Sequence, residues 1–119
     1  MTARAGLVLS LLLGLAPGTG GADESAVAAA TEPVMRQLEG FRRSDFDTAY
    51  RFASGAIHQQ FDRAAFERMV TGAYPEIARS VFAVVAKGEL APNGNVYLVL
   101  KIRGANGVSV EAVYELVAE

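Results

Sequence analysis

The most constraining feature of this chain is a strict two-residue alternation over its last quarter. Val96, Leu98, Leu100 and Ile102 alternate with Tyr97, Val99, Lys101 and Arg103; Val110, Ala112, Tyr114 and Leu116 alternate with Ser109, Glu111, Val113, Glu115 and Val117. A period of two places one set of side chains on one face of a sheet, and Asn106-Gly107 between the runs marks a turn. Register follows from the same pattern. Ile102 and Val110 must share the buried face, so an odd number of residues must lie between them. A three-residue loop, Ala105-Asn106-Gly107 with Gly107 left-handed, meets this condition and pairs Leu100 with Ala112, Leu98 with Tyr114 and Lys101 with Glu111. A two-residue turn would set Ile102 opposite Glu111 and scramble both faces. Val81 to Ala91 reads as a further strand, with Gly88 as its expected bulge and Pro92-Asn93-Gly94 as the turn after it. The three runs make an antiparallel meander.

The residues before Arg79 carry the helical period instead. Thr31-Glu32-Pro33 is a start signal, and Val34, Leu38 and Phe41 recur on one helix face. The alanine-rich stretch 23–30 reads as a frayed leader or a first helical turn. Gly40 costs a helix about 1 kcal/mol against Ala, which a close helix crossing would explain. Ser44-Asp45 caps a short helix bearing Phe46, Ala49, Tyr50 and Ala53, and Ser54-Gly55 is expected to stop it. Asp62 caps another, with Phe66, Met69 and Val70 on its apolar stripe, and Tyr74-Pro75 ends it. Helices first and antiparallel strands after give an α+β fold, with N-terminal helices packed on one face of a curved three-strand antiparallel sheet.

The start of the chain has a different character. Arg4 precedes an apolar run from Ala5 to Ala16, Pro17-Gly18 breaks it, and Gly20 and Ala22 stand at the small-residue positions of a cut after Ala22. This is the layout of a secretory signal peptide. Twelve apolar residues are too few for a membrane span, which needs roughly 20. Residues 1–22 are therefore expected to be a signal peptide, residues 23–119 a single domain, and the product periplasmic or secreted, without a stable membrane anchor after cleavage. The mature part keeps ten basic and thirteen acidic residues, a net charge of −3. It has no basic stripe to neutralise phosphates, which argues against nucleic acid as a partner. With no cysteine in the chain, the core must hold the fold without disulfides.

Several short motifs of this chain resemble the bacterial family known as domain of unknown function 4864. They are Gln37-Leu38-Glu39-Gly40-Phe41, Ala49-Tyr50-Arg51-Phe52-Ala53-Ser54, Ile57, Phe61, Phe66-Glu67-Arg68-Met69-Val70, Tyr74-Pro75 and Val113-Tyr114-Glu115-Leu116. The resemblance spans residues 33–117 and implies a cone of the nuclear transport factor 2-like (cystatin-like) kind, a fold that hosts enzymes and binding domains alike. The family's pattern continues with a turn and a final strand carrying a Trp and a Gly-Cys, which do not follow here before Glu119. The Tyr114–Val117 edge is then expected to be unpaired and available for a homo-oligomer.

No catalytic or metal-binding constellation stands out, and no cofactor is implied. His58 is the only histidine; it has Asp62 four residues on as its one orienting carboxylate, and an exposed connector residue is the simpler reading. Asp45 and Asp47 lack the further ligands of a calcium loop. Ser54 lacks the preceding glycine of a nucleophile elbow. Tyr50, His58, Tyr74, Tyr97 and Tyr114 remain as candidates to line a cone-shaped pocket. Three readings follow. The first is an exported, non-catalytic module that binds a small ligand or a protein. The second is a ketosteroid-isomerase-like enzyme with an acid–base pair in an apolar pocket. The third is a subunit that completes its sheet across an oligomer edge.

Overall fold

In the computed structural model, residues 2–12 and 22–117 are described, with side chains from residue 23 onward. Gly20 and Gly21 of the expected cleavage site lie outside the described residues. Helix α1 spans Ala22–Arg42. It begins nine residues before the expected Thr31 start, because the alanines at 26 and 28–30 are strong helix formers. Thr31 is an interior helix residue, its hydroxyl donating to the Val27 carbonyl at 2.8 Å. Pro33 is accommodated within the helix. Ala30, Val34, Leu38 and Phe41 form its buried stripe, and the exposed pairs Glu32–Arg36 and Glu39–Arg43 mark its wet face.

The crossing expected at Gly40 is present. A Cβ there would stand 3.2 Å from the Asp45 carbonyl and 3.3 Å from the Ala49 nitrogen, so α1 and the next helix meet backbone to backbone. Ser44, at φ 56°, makes the turn between them. Asp45 caps α2 (Phe46–Arg51), accepting from the Thr48 N–H and hydroxyl at 3.2 and 2.7 Å. Ser54-Gly55 does not act as a stop with left-handed Gly55. The Ser54 hydroxyl caps α3 (Gly55–Gln60) instead, accepting from the Ile57 N–H. Asp62 caps α4 (Arg63–Ala73), and Pro75 opens the four-residue α5 (Pro75–Ala78) from its first position, where its missing N–H costs nothing.

Strands β2 (Ser80–Leu90), β3 (Val96–Gly104) and β4 (Ser109–Val117) form the antiparallel meander. The β3–β4 register is the expected one, with Ile102 opposite Val110, Leu100 opposite Ala112, Leu98 opposite Tyr114 and Lys101 opposite Glu111. The loop between them is Ala105-Asn106-Gly107, with Gly107 at φ 81°. The Gly104 N–H donates to the Val108 carbonyl and the Gly107 N–H to the Gly104 carbonyl, each at 2.9 Å. In β2 the bulges fall at Val81 and Ala86. Gly88 is not a bulge but pairs with Leu98, and its role is steric. A Cβ there would lie 2.6 Å from Val27 Cγ1 of α1.

The helices cover one face of the sheet. Val96, Leu98, Leu100, Ile102, Val110, Ala112, Tyr114 and Leu116 are buried against Leu38, Phe41, Phe66 and Ile77. Phe41 lies 5.9 Å from both Phe46 and Phe66, ring centre to ring centre. Met69 is half-buried at the edge of this cluster. A fourth strand completes the sheet. β1 (Thr2–Leu12) runs parallel to β4, giving the order β1-β4-β3-β2. The stretch with the signal-peptide pattern thus lies along the β4 edge, including Tyr114–Val117, which the sequence alone leaves unpaired.

Candidate functional site

The five candidate pocket residues do not converge on one cavity. Tyr50 and His58 stack, with ring centres 4.1 Å apart and planes inclined by 13°. His58 Nε2 lies 2.7 Å from the Tyr50 carbonyl; because a carbonyl only accepts, the proton sits on Nε2. The Tyr50 hydroxyl donates to the Phe61 carbonyl at 2.5 Å. Together these contacts tie α2 to α3 and to the connector that follows. The Asp62 carboxylate accepts from the Ala65 N–H at 2.8 Å, as the cap of α4. His58 is exposed, and its polar and stacking contacts with Tyr50 account for its position.

Tyr74 is half-buried at the α4–α5 junction, where its carbonyl accepts from the Ile77 and Ala78 N–H groups at 3.0 Å. Tyr97 and Tyr114 project from opposite faces of the sheet, since one is odd and the other even in the β3–β4 alternation. The Tyr97 hydroxyl donates to Glu115 Oε2 at 2.5 Å. This bond to a carboxylate, then partial burial, raises the Tyr97 pKa. Tyr114 is fully buried on the helix side, and among the described residues its hydroxyl has no hydrogen-bond partner. Burial pushes its pKa up and keeps it neutral. The space an isomerase-like pocket would need between helices and sheet is occupied by Leu38, Phe41, Phe66 and Tyr114. Among the described residues no group of three or more metal-ligating side chains forms.

A groove of about 740 Å³ lies instead where α1 ends, α4 passes and β2 begins. Its lining mixes apolar residues, Phe41, Phe46, Ala78 and the exposed Val81, with polar ones, and three guanidinium groups stand around it against a single carboxylate, Glu67. The arginines differ in their commitments. Arg63 bonds Asp47 at 2.5 Å and Glu67 at 2.8 Å, and its guanidinium carbon lies 6.0 Å from the Phe46 ring centre. The Asp47 bond raises its already high pKa. Arg42 donates from Nε to the buried Ser80 hydroxyl at 3.0 Å, which aims the guanidinium; among the described residues its terminal nitrogens make no hydrogen bond. Arg79 is anchored through its backbone, its carbonyl accepting from the Ala105 N–H at 2.8 Å. Among the described residues neither Arg42 nor Arg79 forms an ion pair. Two guanidiniums without an ion pair among the described residues, beside the exposed Val81, suit a ligand with an anionic head and an apolar body.

Sequence reasoning missed this groove. Arg42 and Arg79 are 37 positions apart, and only the folding of α5 back onto α1 brings them together. The available signal was weak: an arginine next to a core phenylalanine at a helix end, and another at the change from helical to strand period.

The family described as "Domain of unknown function (DUF4864)" matches residues 24–119. No curated protein and no solved structure matches the chain.

Proposed function

This chain belongs to the DUF4864 family, and we propose that its residues 23–119 form a small exported, non-catalytic domain that binds an anionic, partly apolar ligand in the Arg42–Arg79 groove. Residues 1–22 are the signal peptide in this reading, and the periplasm or the exterior is its destination. The observation that carries it is the pair of guanidiniums that, among the described residues, have no carboxylate partner, beside Phe41, Phe46 and Val81. Cations without an ion-pair partner among the described residues, beside the exposed Val81 side chain, gain from a ligand that supplies the missing charge and covers that apolar surface. The binding reading is favoured over the isomerase-like one because His58 and Asp62 are each committed to local structure and the helix–sheet interior is filled by side chains.

The test is a titration followed by amide chemical shifts, with decanoate as probe and decanol as its uncharged control. Decanoate should shift the amides of Phe41, Phe46 and Val81, and decanol should not. Arg79→Glu should abolish the decanoate effect while leaving the fold intact. Equal responses to the two probes, or shifts unaltered by Arg79→Glu, would contradict the proposal.

A further inference from the structure

The two edges of the meander are built differently. β2 carries two bulges, at Val81 and Ala86, and a lysine at 87. Bulges and edge lysines blunt a strand against pairing with another chain. β4 has none of these devices. Its register with β3 runs unbroken from Ser109 to Leu116, and Ser109–Val117 contains no Lys, Arg or Pro.

The polar groups on that edge can be assigned. The Gly104 N–H bonds the Val108 carbonyl, so these two residues form a hydrogen-bonded pair. Bonded pairs recur at every second residue of an antiparallel ladder, so Val110, Ala112, Tyr114 and Leu116 turn their N–H and C=O groups toward β3. Ser109, Glu111, Val113, Glu115 and Val117 turn theirs outward. The outward row is the one that β1 meets, with Thr2–Arg4 beside Ser109–Glu111 and Val8–Leu12 beside Val113–Val117.

An edge without bulge, lysine or proline, with a strand already seated on it, is an acceptor edge. We infer that residues 2–12 cap β4 only until the leader is removed, and that the uncovered edge then pairs antiparallel with the β4 of a second copy of this chain. The inference rests on the export reading above, because cleavage after Ala22 is what removes β1. Pairing across a two-fold axis closes after two copies, whereas β4 on the bulged β2 edge would propagate without limit. Charge selects the register. An axis through Val113 would set Glu111 of each copy opposite Glu115 of the other. An axis through Tyr114 sets Glu111 opposite Val117 and Val113 opposite Glu115, and an axis through Ala112 sets Glu111 opposite Val113. Both keep the carboxylates apart and leave the odd-numbered N–H and C=O groups facing one another.

The test compares the unprocessed full chain with the protein recovered after export, each by intact mass and by sedimentation equilibrium across a concentration series. The full chain should sediment as one copy and the processed chain as two. Val113→Pro, which removes one outward N–H and none of the β3 ladder bonds, should return the processed chain to a monomer with unchanged circular dichroism. Should that variant fail to fold, hydrogen exchange on the wild-type processed chain decides. The Glu111, Val113 and Glu115 amides should gain protection as concentration rises. A monomeric processed chain, a dimer that Val113→Pro leaves intact, odd-numbered amides without concentration-dependent protection, or an open series of oligomers would each overturn the inference. If intact mass shows residues 1–22 retained, the export reading fails by itself. The edge is then tested on the full chain with Val8→Pro and Ser10→Pro, which should dimerise; a monomer would overturn it.

Discussion

Tyr114→Phe should make this protein more stable. Tyr114 is fully buried on the inner face of β4, opposite Leu98, and its hydroxyl has no partner among the described residues. A buried, unpaired hydroxyl carries its desolvation cost uncompensated, about 1–3 kcal/mol. Phenylalanine keeps the ring, its packing and its rotamer and removes only the oxygen. The expected gain is therefore about 1–2 kcal/mol, near the lower half of that range because the surrounding atoms adjust around the lost oxygen. For a domain of this size that is roughly 4–8 °C in Tm per kcal/mol. Urea unfolding of the two proteins measures it directly: the midpoint should rise with the slope unchanged. Tyr114→Leu provides the contrast, since it removes the oxygen and also ring volume, and it should lose stability. A loss of 1 kcal/mol or more in Tyr114→Phe would refute the reasoning, because it would mean that the hydroxyl makes a bond worth keeping.

Other substitutions test the packing and the candidate site. Gly88→Ala should destabilise by about 1–3 kcal/mol through collision with Val27, and adding Val27→Ala should recover part of that loss; independent, additive effects in urea melts would contradict the contact. Phe66→Ala, deleting a fully buried ring stacked on Phe41, should cost about 3–5 kcal/mol, and a loss below about 1 kcal/mol would mean that α4 does not face the core. His58→Ala should change stability by less than about 1 kcal/mol and leave decanoate binding intact, since the residue is exposed and distant in role from the arginines; loss of binding in a folded variant would reinstate it as a site residue.

The sheet was legible because a strand's period is unambiguous when one face is buried. The positions of Ile102 and Val110 required an odd loop, and the loop has three residues. Asp45 and Asp62 were legible as caps for an equally local reason. What misled was punctuation whose meaning depends on tertiary contacts. Gly55 follows a serine that caps the next helix, Gly88 yields to Val27 of the helix packed over it, and Pro33 sits inside a helix stabilised by its packed face. None of these contacts has a sequence spacing that announces it. The groove was illegible for the same reason, as Arg42 and Arg79 meet only after the helices fold onto β2. The five aromatic and histidine candidates shared a chemistry but not a location, and the alternation that places Tyr97 and Tyr114 on opposite faces was already readable in β3 and β4.

Both the proposed role of this domain and the exposure of its β4 edge depend on removal of the leader. Intact-mass measurement of the protein recovered from the exported fraction tests this most directly. The account predicts a chain beginning at Asp23, lacking Met1 to Ala22. A mass that still includes the Leu7–Leu15 segment would contradict it.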